Sequence, residues 1–218
     1  MLSTLKHIQS RRADLTQHID VEKSFELWEE SCVPSYCHSN WMAAYVSWQR
    51  LFRCVALAKR NRPNPTRVLD FGSSVGELGQ ILREQQSAEY HFIEQDENAA
   101  KYLKSRLPQA HHTTLADAAD GSYDWVFAID SLEHNENVTE LLEQLATKLS
   151  PQGIFVLSGP TENRLYQLGR RIAGFSGAYH TTNIYDIESK ACRLFRRVDG
   201  ATIFPGLNFF SLTVWTHA

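Results

Sequence analysis

No stretch of this sequence is both long and apolar enough to span a bilayer. Lys6, Arg11 and Arg12 interrupt every apolar run near its start, which excludes a signal-peptide core. Cysteine is sparse. Cys32, Cys37, Cys54 and Cys192 show no Cys-x-x-Cys spacing, so a cysteine zinc site is not expected, and free thiols in a reducing compartment are the simplest account. A large excess of charge is missing too: the formal net charge of −3 gives no long-range pull toward nucleic acid or an anionic membrane. There are no internal repeats and no low-complexity segments. These absences leave a soluble cytoplasmic protein as the expectation. With 218 residues and a hydrophobic fraction of 43%, the chain can build one domain with a sizeable core, or one domain with a small appendage.

What is present is organised around residues 67–80. Arg67-Val68-Leu69-Asp70-Phe71 is a short apolar run, and Gly72, Ser73, Ser74 and Gly76 follow as a turn of small residues. Val75, Leu78, Ile81 and Leu82 then recur on one face of a helix. Strand, glycine turn and helix form the nucleotide-binding corner of a doubly wound sheet. There a ligand lies beyond the carboxyl end of the strand, against the first helical turn. A glycine turn after a strand is also common as plain structure, so the continuation matters. Tyr90-His91-Phe92-Ile93-Glu94-Gln95-Asp96 reads as a second strand ending in acid. Glu94 follows Gly72 by 22 positions, near the spacing of roughly 20 at which such folds set a carboxylate on ribose hydroxyls. The loop has no Gly-Lys-Ser/Thr ending, which argues against an ATPase.

Val68 to Gly76 resembles the first motif of class I S-adenosylmethionine-dependent methyltransferases: an apolar pair, Asp, any residue, Gly, any, Gly, any, Gly. Ser74 stands where the middle glycine is usual. The likeness extends to about Pro160. Residues 123–134 are similar to the family's fourth strand and the Glu-His pair after it, and residues 149–158 to its helix-turn-fifth-strand passage. The resemblance implies an α/β, Rossmann-like, doubly wound sheet of seven mostly parallel strands with an antiparallel last strand. It implies S-adenosylmethionine as cofactor, with contacts from Asp70, Gly72, Ser73, Ser74, Gly76, Glu94, Gln95, Asp117 and Asp130. Asp117 matches the residue that accepts from the adenine amine. The loop after the third strand is short, which keeps Asp120 open as the alternative.

In residues 1–64, Trp41, Tyr45, Trp48, Leu51, Phe52 and Val55 recur at three- and four-residue steps without a strand signal. They predict an N-terminal helical cap whose aromatics either pack against the sheet or line a substrate pocket. Arg62-Pro63-Asn64-Pro65-Thr66 reads as a linker, dividing a cap at 1–64 from the methyltransferase-like domain at 65–218. Strands are expected near 67–72, 89–95, 111–115, 123–130, 153–159, 195–204 and 208–217. Helices are expected near 75–86, 97–107, 137–149, 161–173 and 185–193. Asn135 or Asn137 is the expected cap of the third of these helices and Thr161 of the fourth. Ser150-Pro151-Gln152-Gly153 reads as a turn, and the last two strands as a hairpin through Pro205-Gly206.

Transfer from a sulfonium is an in-line displacement. It needs alignment and exclusion of water, and a base only if the acceptor must lose a proton. His134, just after the fourth strand, and His180 are the candidate bases. Asp130, Glu133 and His134 form a pattern similar to a cation-holding cluster in ubiquinone-pathway O-methyltransferases. Asp130 replaces that cluster's first Glu, and no metal ligands are assigned. Residues 158–177 exceed a bare crossover and predict a lid, with Asn163, Arg164 and Tyr166 toward a polar acceptor. Arg170 and Arg171 either attract an anionic acceptor or lie on a solvated helix face. The fourth strand lacks an Asn/Asp-Pro-Pro-Tyr/Phe ending, which argues against base methylation in nucleic acids.

The implied function is methyl transfer, preferably to oxygen, on a small-molecule, lipid-linked or glycan-linked acceptor. An NAD-dependent oxidoreductase is disfavoured, since the G-x-G-x-x-G order and a Tyr-x-x-x-Lys pair are missing. A non-catalytic methyltransferase-like subunit, holding a partner through the aromatic N-terminal region, is disfavoured by the retained ribose acid.

Overall fold

Hydrophobic side chains that alternate along the strands feed two cores, one on each face of a single sheet. The computed structural model describes residues 2–20, 24, 28, 31–161, 182–204 and 208–218. Its strands are β1 (Arg67–Phe71), β2 (Glu89–Ile93), β3 (His111–His112), β4 (Tyr123–Ile129), β5 (Leu149–Pro160), β6 (Phe195–Ala201) and β7 (Phe210–His217). Their spatial order is β3-β2-β1-β4-β5-β7-β6. The first five run parallel, and β7 is antiparallel to both β5 and β6. This is the expected seven-stranded sheet with its reversed last strand. The order changes direction between β1 and β4, where a doubly wound sheet opens its ligand crevice.

Helices α1 (Leu2–His18), α2 (Val33–Tyr36) and α3 (Trp41–Asn61) precede the sheet. Between strands lie α4 (Glu77–Gln85), α5 (Glu97–Arg106), α6 (Val138–Lys148) and α7 (Ile184–Ala191), with a 3-10 turn at Leu132–His134. On β4, Trp125, Phe127 and Ile129 join the core covered by α3, α4 and α5, whereas Val126 and Ala128 join the core under α6 and α7. Both faces of β4 are therefore dry, which accounts for its nearly unbroken apolar run. The fully buried Trp48 belongs to the same core as Val68 and Trp125, and its indole N–H donates to the Tyr36 carbonyl (3.1 Å), fixing α2 on α3. Among the described residues no helix is long and apolar enough to cross a membrane.

The linker is nailed down at the amino end of β4. The Asp124 carboxylate accepts from the backbone N–H of Thr66 (2.6 Å) and pairs with Arg62, and the Trp125 indole donates to the Arg62 carbonyl (2.9 Å). Several boundaries differ from expectation. Helix α4 starts at Glu77, because Val75 and Gly76 still belong to the loop. Strand β5 begins at Leu149 and runs through the Ser150-Pro151-Gln152-Gly153 segment, with an irregular register opposite Tyr123 and Trp125. Strand β3 is two residues long. Asn137 occupies the N-cap position of α6 without a side-chain cap bond, and Asn135 donates to the Ser131 carbonyl (2.8 Å). Asp96, not anticipated as a cap, accepts from Asn98 N–H (2.8 Å) at the start of α5. Thr161 donates to the Asn208 carbonyl (2.6 Å). The rest of the expected 161–173 helix, most of the expected lid, His180 and the Pro205-Gly206 turn lie outside the described residues.

Candidate functional site

Beyond the carboxyl ends of β1, β2 and β4 lies a cavity of about 700 Å³, within the usual size range of small-molecule sites. Its floor is the loop after β1. Gly72 (φ +74) and Gly76 (φ +83) adopt left-handed backbone that a side chain disfavours. A Cβ on Gly72 would lie 2.4 Å from the Ser131 Cβ, and one on Gly76 would lie 2.4 Å from Leu103 Cγ. The glycines are thus required by close approach as well as by backbone angle. Ser74 is also left-handed (φ +49), the conformation that explains why glycine is usual at this place in the motif.

The loop is laced to the end of β2. Gly72 N–H donates to the Ile93 carbonyl (2.9 Å), and Ser74 N–H donates to Glu94 Oε2 (2.6 Å). The other Glu94 oxygen accepts from Asp96 N–H (2.9 Å). Two backbone donors therefore orient a carboxylate that lines the cavity, leaving lone pairs for a bound diol.

The opposite wall comes from β4 and from the N-terminal helices. Asp130 caps the strand in left-handed backbone (φ +49), its N–H donating to the Ser158 carbonyl (2.9 Å). Its carboxylate pairs with Arg50 of α3, whose side chain is 7% exposed and whose guanidinium lies 4.4 Å from the centre of the Phe210 ring. Glu133, buried, and His134, exposed, follow on the 3-10 turn and also line the cavity. Arg50 was missed by sequence reading. The readable signal was an arginine on the helix face it shares with buried Cys54 and Leu57.

Of the predicted site residues, Gly72, Ser74, Glu94, Gln95, Asp130 and His134 meet at the cavity. Asp70, Ser73, Gly76 and Asp117 do not line it. Asp70 is buried behind the loop, where it accepts from the Tyr90 hydroxyl (2.5 Å). Burial, opposed by that hydrogen bond, pushes its carboxyl up to about 7. Ser73 is buried, and Gly76 is the N-cap of α4. Asp117 is exposed and closes its own turn with Thr114, accepting from that hydroxyl (2.7 Å), while Asp120 pairs with Lys148 (2.6 Å). His180 is outside the described residues. Cys32 lines the cavity, but burial and the nearby Asp130 push its thiol up to about 12, which keeps it protonated and poorly nucleophilic at neutral pH.

Two contacts fasten the N-terminal helices to the loop. Arg11 of α1 grips the buried Glu77 carboxylate through Nε (3.0 Å) and Nη2 (2.8 Å), and Cys32 N–H donates to the Ser74 hydroxyl (3.3 Å). Burial pushes Glu77 up to about 7 despite Arg11.

No curated protein matches the chain. Several solved structures share the fold. A Pyrococcus horikoshii protein is 17% identical, with a TM-score of 0.68 over 88% of this chain and 99% of its own. Magnesium protoporphyrin IX methyltransferase from Synechocystis, solved with bound S-adenosylhomocysteine, is 16% identical, with a TM-score of 0.65 over 90% of this chain and 95% of its own. N-methyltransferase NodS from Bradyrhizobium japonicum is 12% identical, with a TM-score of 0.58 over 78% and 94%. A methyltransferase-domain family model matches residues 42–213, a span that takes in the loop, Glu94 and the end of β4. The chain belongs to that family and is an S-adenosylmethionine-dependent methyltransferase.

Proposed function

We propose that the protein transfers a methyl group to oxygen on a small-molecule, lipid-linked or glycan-linked acceptor, with both substrates meeting in the cavity beyond β1 and β4. The observation that carries this reading is the two-sided wall. Glu94 and the left-handed loop face one side, and Asp130, paired with buried Arg50, stands on the other.

The residues fit the cofactor. Glu94 offers its remaining lone pairs to the ribose hydroxyls, and Ile93 and Gln95 flank the adenine. The loop backbone at Gly72 and Ser74 accommodates the amino-acid end without side-chain bulk. Bound there, the cofactor supplies a methyl group on a positively charged sulfur. The carboxylates of Glu94 and Asp130 favour that positive charge by simple attraction. Arg50 holds Asp130 in place, so its role toward the methyl donor is to position the acid. His134, exposed on the 3-10 turn at the cavity, takes the proton of an acceptor hydroxyl as oxygen attacks carbon and the carbon–sulfur bond breaks. Similar folds act on different acceptors: the Synechocystis relative is named for a porphyrin and NodS as an N-methyltransferase. The preference for oxygen therefore rests on His134 as a proton acceptor, not on fold likeness.

The test has two arms. Calorimetric binding of S-adenosylhomocysteine should weaken by about 1–3 kcal/mol in Glu94→Ala, because hydroxyls lose their buried acceptor. Unchanged affinity would place the ribose elsewhere. Labelled cofactor supplied with paired hydroxyl and amine acceptors then decides the second arm. Label on the amines alone would overturn oxygen transfer and leave the cofactor site standing.

A further inference from the structure

At one edge of the sheet, β2 and β3 carry a polar cluster where aliphatic residues would be the norm. Helices α4 and α5 both pack on one face of these strands, and the connection from β3 to β4, residues 113–122, forms turns and no helix. Among the described residues the other face of β2 and β3 is therefore left without a helix of its own. On that face stand Glu89 and His91, two apart on β2, and His111, in register with His91 on β3. We propose that Glu89, His91 and His111 form a zinc site that braces the two-residue strand β3 against β2.

The ligand atoms already converge. Glu89 Oε1 lies 3.1 Å from His91 Nε2 and 3.7 Å from His111 Nε2, and the three lie within 4.8 Å of one another. Tetrahedral zinc with these donors sets ligand atoms about 3.3 Å apart. Closing the remaining gap falls to His111, whose side chain is 55% exposed and able to swing. His91 Nε2 is buried and, despite its distance to Glu89, makes no hydrogen bond of acceptable geometry among the described residues. A buried imidazole nitrogen close to a carboxylate oxygen yet off the axis of a hydrogen bond to it is what a cation shared with Glu89 and His111 would satisfy.

The surroundings suit a metal as well. The Tyr123 hydroxyl is 3.4 Å from His91 Nδ1, which turns the Nε2 side toward the cluster. Arg67 Nε donates to the other Glu89 oxygen (2.7 Å), fixing the carboxylate and leaving Oε1 for the ion. Such outer partners are the usual company of zinc ligands. Two imidazoles and one carboxylate match a borderline divalent ion better than calcium or magnesium, which prefer oxygen, and water on the open face completes four-coordination.

The experiment titrates the full-length protein, freed of metal by chelation, with Co2+ as a spectroscopic probe and with Zn2+ by calorimetry. One equivalent of Co2+ should give the visible bands of a four-coordinate ion. Glu89→Gln, His91→Ala and His111→Ala should each weaken Zn2+ binding at least about 10-fold, and Tyr123→Phe should weaken it less. His112→Ala, at the exposed neighbouring position on the other face, is the control and should bind like the parent. Zn2+ should also raise the melting temperature of the parent but not of His111→Ala, which checks that this variant is folded. Failure of the parent to bind Zn2+ at micromolar concentration overturns the site. So does equal binding by the parent and the three ligand variants, since the ion would then sit elsewhere.

Discussion

Asp124 and Asp130 stand at opposite ends of one strand and meet opposite fates. At the amino end, Asp124 collects Thr66 N–H, Arg62 and the Ser150 hydroxyl (3.3 Å). Burial raises its carboxyl, but the Thr66 N–H and the Arg62 guanidinium outweigh that and hold it below the usual range. At the carboxyl end, Asp130 sits in left-handed backbone, faces a cavity and shares its charge with an arginine from another layer of the molecule. One end fastens the linker and the other, held by Arg50, faces the cavity, which is the division expected where a doubly wound sheet binds ligands beyond its carboxyl edge.

The largest test of that contrast is Gly72→Val. Its side chain would combine a disfavoured φ with a collision against Ser131, so we expect a loss of about 4 kcal/mol in stability together with loss of S-adenosylhomocysteine binding. Unchanged melting with abolished binding would show that the loop contributes to function alone. Next comes the pair itself. Asp124→Ala should cost about 3 kcal/mol by chemical denaturation while leaving turnover per folded molecule intact. Asp130→Asn tolerates the left-handed backbone but leaves buried Arg50 without this counter-charge, so it should cost a comparable amount in stability and, unlike Asp124→Ala, lower turnover at least about 10-fold. If the two variants trade these behaviours, the comparison fails.

Asp70 sharpens the same point through pH. Its carboxyl is raised to about 7 in the folded state, so its destabilising effect is absent at low pH and grows as pH rises from about 4 toward 7. Asp70→Asn should match the parent near pH 4 and exceed it by on the order of 3 kcal/mol at pH 8. A constant difference across that range would mean the acid is not buried in its neutral form. The smallest effect belongs to Ser74→Gly, which relieves strain of about 1 kcal/mol but gives up the hydrogen bond from Cys32. Melting should move by less than about 1 kcal/mol, and a larger loss would mean the serine tether outweighs the strain.

Much of the sheet was legible because β1, its small-residue turn and the acid at the end of β2 form a local pattern with fixed spacing. The site was legible in part, for the same reason. Glu94 and the loop are set by neighbours in sequence, whereas Arg50 reaches Asp130 across 80 positions, and only helix-face periodicity hints at it. Asp117 is matched by motif, yet after a ten-residue connection it lies off the cavity lining, where it accepts from the Thr114 hydroxyl, a contact its position in the motif does not reveal. Residues 150–153 look like a turn by composition, and although β5 spans them they fall in the register break between the Tyr123–Leu149 and Trp125–Ile154 pairs, so the local preference persists as an irregularity inside the strand.

The left-handed serine has one more consequence, for anyone choosing where to trim the chain. A fragment limited to the family-matched residues 42–213 would discard both Arg11 and Cys32. Glu77 would lose the arginine that grips its carboxylate, and the Ser74 hydroxyl would lose the amide that donates to it. The sensible amino-terminal boundary is therefore set by two anchors outside the matched span rather than by the span itself.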